Sequence, residues 1–196
     1  MIKREYEKFR WFFTSAGKLV IAGKSAEQNE EIIKKYLDKE DVVMHTKEPG
    51  SPFTIIKTGK TKGKISGISR DDLIEAAIFC ACFSKQWKKK KKEAEVHIFM
   101  PEQIVKEKSQ KKGTFSVLGK TRKAYPKLRL LLTIQKGKLR AVPFAKKSFC
   151  TLFPGKLSKE KSTKKIFDML GKKFSKEEIT RALPAGGFKL QFKLVL

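Results

Sequence analysis

His45 precedes Glu48 by three residues in a Pro-Gly loop, a spacing that a general base and its orienting carboxylate could use. Such a pair needs hydrogen-bond geometry and usually a third group, and no Ser or Cys nucleophile motif accompanies it. Shaping the loop, or hydrogen-bonding RNA, is the expected role of His45. Metal chemistry has less to work with: two histidines, three cysteines and no CxxC pair leave a zinc site unsupported. Cys80 and Cys82, two apart on a predicted helix, point to different sides and are expected to be reduced packing residues. Neither a Walker A sequence nor GxGxxG occurs, so nucleoside-triphosphate chemistry has no support and no cofactor is expected.

The stronger signal is charge. Residues 106–147 hold fourteen Lys or Arg and a single acid, Glu107. The net charge is about +1 over residues 1–50, +5 over 51–105, +13 over 106–147 and +7 over 148–196, within a total of +26. Charge concentrated in one part of a folding chain makes a local positive potential, and that potential attracts a polyanion. Lysine supplies 39 of the 46 basic residues. Lysine suits phosphates as a hydrated point charge, whereas arginine reads guanine edges better, so backbone or shape recognition is expected over sequence readout.

The elements that must position these residues follow from patterning. With 40% apolar residues, fifteen of them Phe, the chain can bury a core. Phe9–Phe13 and Leu19–Ala22 flank a turn and predict a hairpin. Ser25 and Gln28 have capping-box spacing ahead of a helix over Ala26–Leu37. Strands are expected at Val42–His45 and Phe53–Lys57, then a helix over Asp71–Lys88 capped by Ser69, with Leu73, Ala76, Ala77, Cys80, Phe83 and Trp87 on its apolar face. Lys88–Lys92 fall at its end. Further strands are expected at Val96–Met100, Thr114–Leu118, Leu128–Ile134 and Leu139–Phe144. Short helices at Ser162–Leu170 and Ser175–Leu183 and a strand over Phe188–Val195 close the chain. The pattern is α+β: a largely antiparallel sheet with two main helices, plus a small C-terminal helical segment and final strand. Residues 1–147 form the expected main domain, with 148–196 an extension packed on it. No run of eighteen apolar residues exists, no signal peptide opens the chain, and an odd cysteine count disfavours a disulfide scaffold, so a cytoplasmic protein with no membrane partner is expected.

Particular blocks resemble one family. Trp11-Phe12-Phe13-Thr14-Ser15-x-Gly17, Gly23-Lys24-x-Ala26-x-x-Asn29-Glu30, His45-Thr46-x-x-x-Gly50-Ser51-Pro52 and Ile56-Lys57 occur in order. Glu75-Ala76-Ala77 through Trp87-Lys88, Pro101-x-Gln103-Ile104-x-Lys106 and Lys112-Gly113-Thr114-Phe115-x-Val117-x-Gly119-Lys120 follow. Together they resemble the NFACT RNA-binding domain over roughly residues 8–145. In larger family members this domain follows an N-terminal domain and a coiled coil, and helps grip tRNA on stalled large ribosomal subunits. The resemblance implies a stand-alone, non-enzymatic RNA binder, with tRNA or ribosomal RNA and the large subunit as partners. An accessory subunit or enzyme of RNA modification, or a DNA-binding protein, are the alternatives.

The expected RNA-binding residues are Arg10, Trp11, His45, Lys57, Lys111, Lys112, Lys120, Arg122, Lys123 and Lys127. Trp11 enters because alternation in an aromatic strand should leave one side facing out, where a ring could stack on a base. Lys111, Lys112, Lys120, Arg122 and Lys123 bracket the predicted 114–118 strand, and Gly113 and Gly119 beside it would let backbone approach a phosphate. Trp87 is expected in the core.

Overall fold

The computed structural model describes residues 5–58, 60–61, 64–65, 67–171 and 173–192. A 3-10 turn, Glu5–Lys8, leads into β1 (Arg10–Phe13) and β2 (Leu19–Ala22). Gly17 closes their turn at φ +84°. Ser25 accepts from the Gln28 amide to cap α1 (Ala26–Glu31), which then widens into a π-helical turn over Ile32–Tyr36. The single helix expected to Leu37 is thus α-helical only as far as two adjacent β-branched residues, Ile32 and Ile33, which crowd a regular helix. After it come β3 (Val42–Thr46), β4 (Thr54–Ile56) and a small hairpin of β5 (Lys60–Thr61) and β6 (Lys64–Ile65).

Ser69 and Asp72 form a reciprocal capping box for α2 (Arg70–Cys82). The helix expected to reach Lys88 is divided, because the Ser84 hydroxyl donates to Ala81 O and accepts from Gln86 N. The side chain thereby competes with the helix ladder and starts α3 (Lys85–Lys88) afresh. Then follow β7 (Val96–Phe99), β8 (Ile104–Val105), β9 (Ser116–Val117), β10 (Arg122–Ala124), β11 (Leu130–Gln135), β12 (Lys138–Val142), β13 (Cys150–Leu157), α4 (Lys159–Met169), α5 (Lys176–Ala182) and β14 (Phe188–Phe192). The expected terminal strand matches β14 as far as Phe192; its last residues lie outside the described ones.

The architecture is α+β. Among the described residues a six-stranded sheet runs β1-β2-β4-β3-β7-β10 and a four-stranded sheet runs β12-β11-β13-β14, both antiparallel throughout. The boundary expected at 147 falls between β12 and β13, and β11 pairs with both. One hydrophobic cluster runs from α2 and one face of the first sheet through the second sheet to α4 and α5. Gln135 ties the two sheets by donating to Phe13 O and accepting from Phe13 N, both at 2.8 Å.

Successive residues of a strand point to opposite faces, and here both faces of the first sheet are covered. Phe12, Val20, Met44 and Ile56 pack toward α2. Trp11, Ile21, Val43 and Ile55 pack into a second cluster under Tyr36, Ile104 and Phe115. Each such large side chain removed from water contributes roughly 1.5–3 kcal/mol, so this sheet is a firm platform for the loops at its ends.

Candidate nucleic-acid interface

Three loops of the family blocks converge on one open cleft of about 550 Å³. One wall is the turn between β2 and α1, with Lys24 and Asn29. Another is the 45–53 loop, and the third is the segment carrying Lys112, Gly113 and Phe115. Glycines let the walls come close. A Cβ on Gly113, at φ +74°, would lie 2.5 Å from Ala26 O, and one on Gly50, at φ +98°, would run into the Lys85 stem. Asn29 Oδ1 accepts from Phe53 N at 3.1 Å, holding the second wall to the first.

The lining is cationic. Arg10, Lys24, Lys47 and Lys112 line it with His45 and His97, and among the described residues no Asp or Glu does. Arg10 donates to Gly23 O at 2.7 Å and lies 5.2 Å from the Phe83 ring centroid. Among the described residues, no carboxylate lies within ion-pair distance of Arg10, Lys24 or Lys112. Lys47 reaches Glu95 at 3.4 Å, and Glu95 also pairs with His97 at 3.0 Å and Lys123 at 3.2 Å. The His97 hydrogen bond first, and then Lys123 and Lys47, hold the Glu95 carboxyl down at about 2. Burial pushes the His45 ring below its ordinary value, and its Nδ1 donates to Thr46 O at 2.7 Å. The arrangement offers fixed positive charge and hydrogen-bonding groups, which suits phosphate.

The sequence-predicted residues divide. Arg10, His45 and Lys112 meet in the cleft. Lys111 stands beside Lys112, its carbonyl accepting from Lys106 at 2.8 Å. Arg122 and Lys123 lie on the edge strand β10, where Lys123 faces His97 in register. Lys120 stays near this edge, its carbonyl held by Gln103 at 3.0 Å. Lys127 is apart, bordering a separate hollow with Lys90–Lys92.

Two expected contacts are corrected. Trp11 is 1% exposed, because the face expected to be open is covered by the second cluster, so its ring cannot stack on a base. Lys57 is buried and pairs with Asp38 at 2.8 Å and with Asp41. It also donates to Tyr36 O, so its charge is spent inside the protein. The 114–118 strand shrinks to the two residues of β9, and the Gly113 amide donates to Glu30 at 2.8 Å rather than facing a phosphate. Nor do His45 and Glu48 form an acid–base pair, since the Glu48 carboxylate takes Gln86 at 2.8 Å and Lys89 at 2.6 Å. Trp87 lies in the core as expected, donating to Gly187 O at 3.0 Å.

Sequence reasoning missed Lys24, Lys47 and His97 as cleft residues and Tyr125 beside it. Tyr125 is 58% exposed in a hollow that shares Thr46 and Lys47 with the cleft and also holds Lys91 and Lys92. Lys24 and the 45–53 loop sat in the quoted blocks, so proximity among blocks was the available signal. His97 and Tyr125 come from strand register, which the blocks do not carry.

No helix among the described residues is long and apolar enough to cross a membrane. The archaeal Rqc2 homolog aRqcH of Methanocaldococcus jannaschii is 41% identical over 121 residues, which is 60% of this chain and 17% of that protein. The ribosome quality control complex subunit NEMF of Homo sapiens is 36% identical over 84 residues, 42% of this chain and 7% of that one. The chain therefore spans only a small part of the length of these curated relatives. The C-terminal part of the fibronectin/fibrinogen-binding protein from Streptococcus suis shares the fold, with a TM-score of 0.53 over 61% of this chain and 45% of that chain at 19% identity. Residues 8–119, more than half of the chain and the whole of the cleft's lining, match the NFACT protein RNA binding domain, and the chain belongs to that family.

Proposed function

We propose that this protein binds RNA without turnover, seating a run of backbone phosphates across the cleft between Lys24, the 45–53 loop and Lys112. The observation that carries this reading is the cleft's lining of four Lys or Arg with two histidines and, among the described residues, no carboxylate. Lys111 beside it and Arg122 and Lys123 on the edge strand extend the path, and Tyr125 supplies an exposed ring for a base. Phosphate contact by lysine discriminates shape rather than sequence, which suits a folded RNA such as tRNA or ribosomal RNA. The names of the relatives above favour ribosome quality control as the setting, with the large subunit as the place of action.

Ultraviolet crosslinking of the purified chain to tRNA and to large-subunit ribosomal RNA, with mapping of the crosslinked peptides, tests this. Crosslinks should fall in 43–53, 106–115 and 122–127. Crosslinks confined to 156–176, or none with either RNA, would overturn it. Co-sedimentation with large subunits carrying peptidyl-tRNA tests the setting. Firm binding to free RNA with no co-sedimentation would remove the ribosomal assignment alone.

A further inference from the structure

A second cleft, of about 300 Å³, opens at the seam between β1 and the elements that follow residue 119. Arg10 and Lys24 line it as well as the first cleft, so the two meet at those side chains. From the far side come Arg140 of β12 and Arg181 of α5. Lys138 and two acids complete the charged lining, and both acids are engaged. Glu7 pairs with Lys138 at 2.5 Å, and Glu178 accepts from Ser175 N at 2.8 Å in its capping box. Among the described residues, Arg181 pairs with Glu177 at an exposed position, an arrangement that water and salt weaken.

Among the described residues, Arg10, Lys24, Arg140 and Arg181 therefore face one another, with Glu7 the acid whose charge also acts on Arg140. Lys24 is held below the ordinary lysine value by burial first, and then by the charges of Arg10, Arg140 and Arg181. The floor of the cleft carries unspent donors. Arg140 stacks on Trp11, its guanidinium carbon 4.0 Å from the ring centroid. Among the described residues, neither Arg140 Nε nor Trp11 Nε1 has a hydrogen-bond acceptor, although both atoms are buried. Buried donors without acceptors are costly, and like charges gathered in a cleft repel. An anion with several acceptor oxygens relieves the repulsion among these cations and accepts from the outer ends of the guanidinium groups.

We propose that this second cleft is a built site for one phosphate group of the bound RNA, gripped by Arg140 and Arg181 from one side and by Arg10 and Lys24 from the other. It rests on the RNA-binding reading above and adds to it an anchor of which two of the four gripping residues, Arg140 and Arg181, lie beyond the family-matched segment. Arginine suits such a site, because its planar fork donates in pairs to phosphate oxygens. The volume admits a phosphate with part of its sugar, and not a stacked helix of RNA.

The two tryptophans make the test, since Trp11 lines the site and Trp87 does not. In nitrogen-15-labelled full chain, the indole N–H resonances are followed while inorganic phosphate, and separately tRNA, is added. The Trp11 indole should shift with saturation in both titrations, while the Trp87 indole, already bonded to Gly187 O, stays in place and reports that the fold is intact. Arg181→Gln, at an exposed side chain, should weaken the phosphate response about tenfold or more, the loss expected for a charge-assisted hydrogen bond. Lys112→Gln should leave the phosphate response of Trp11 unchanged while weakening tRNA binding. A Trp11 indole that ignores phosphate, or that moves only together with Trp87, overturns the site. Tight tRNA binding without a Trp11 shift overturns it too while leaving the RNA-binding reading standing. A phosphate response without any tRNA binding overturns the assignment to RNA.

Discussion

Lys57, at the end of β4, and Lys112, in the loop between β8 and β9, carry the same side chain, yet they do opposite things. Lys57 follows β4 and is enclosed by Asp38, Asp41 and Tyr36 O, so its charge is cancelled where it stands. Lys112 is exposed at a cleft that, among the described residues, no carboxylate lines. A total of +26 therefore says less about binding than the positions at which positive charge lacks a partner. A lysine enclosed among carboxylates holds the fold; lysines that stay exposed at the cleft and its edge attract phosphate.

That contrast breaks most sharply at the knot. Lys57→Met should cost about 3–5 kcal/mol in urea unfolding, because it strands the fully buried Asp41 carboxylate. The protein that remains folded should bind tRNA as before, and a parallel loss of affinity would mean the knot belongs to the interface. At the cleft the balance reverses. Wild-type affinity should fall with salt at a log–log slope of about −4 to −5, for roughly six phosphates neutralised. Changing Lys111, Lys112, Lys120 and Lys123 together to Glu should flatten that slope by about three, with little change in melting temperature. An unchanged slope would move the interface to Lys88–Lys92.

Smaller effects sharpen the boundary between the two classes. Gly113→Ala forces a side chain into φ +74° and against Ala26 O, so it should cost on the order of 1–3 kcal/mol and disturb the cleft wall as well. Glu30 is held at about 2, by Lys34 first and then by the Gly113 amide and Lys106, and Glu95 likewise by His97 and lysines. Both carboxyls are depressed in the folded state, so their stabilisation is complete above about 4.5 and is lost as pH falls toward 2. Melts between pH 6 and 3 should therefore decline, and Glu30→Gln should make the decline shallower.

Local signals were legible wherever one residue decides one feature. Ser25, Ser69 and Ser175 cap their helices as their spacing indicates, and Gly17 closes the first hairpin. The ordered family blocks marked the walls of the cleft without showing that they meet. What stayed hidden depends on long-range packing. Trp11 is buried because a distant segment, carrying Ile104 and Phe115, covers its face of the sheet. Lys57 is neutralised by Asp38 and Asp41, acids that the segment charges count but do not place. Strand β13 was concealed by Pro154 and Gly155, which suggest a break. Proline sits there because the register shifts between Pro154 and Leu157, and Gly155 because a Cβ would lie 2.4 Å from the Phe188 carbonyl carbon.

The central claim is that the cations lining the cleft, rather than charge in general, bind RNA. It is tested most directly by two variants with the same change in net charge. Lys24→Glu with Lys112→Glu alters the cleft, and Lys161→Glu with Lys164→Glu alters exposed positions on α4. Their tRNA dissociation constants are compared at one physiological salt concentration, after equal melting temperatures are verified. The cleft pair should weaken binding at least about tenfold, equivalent to ~1.4 kcal/mol, and the helix pair by less than about threefold. Equal losses in the two variants would contradict the account, because binding would then follow total charge and not the cleft.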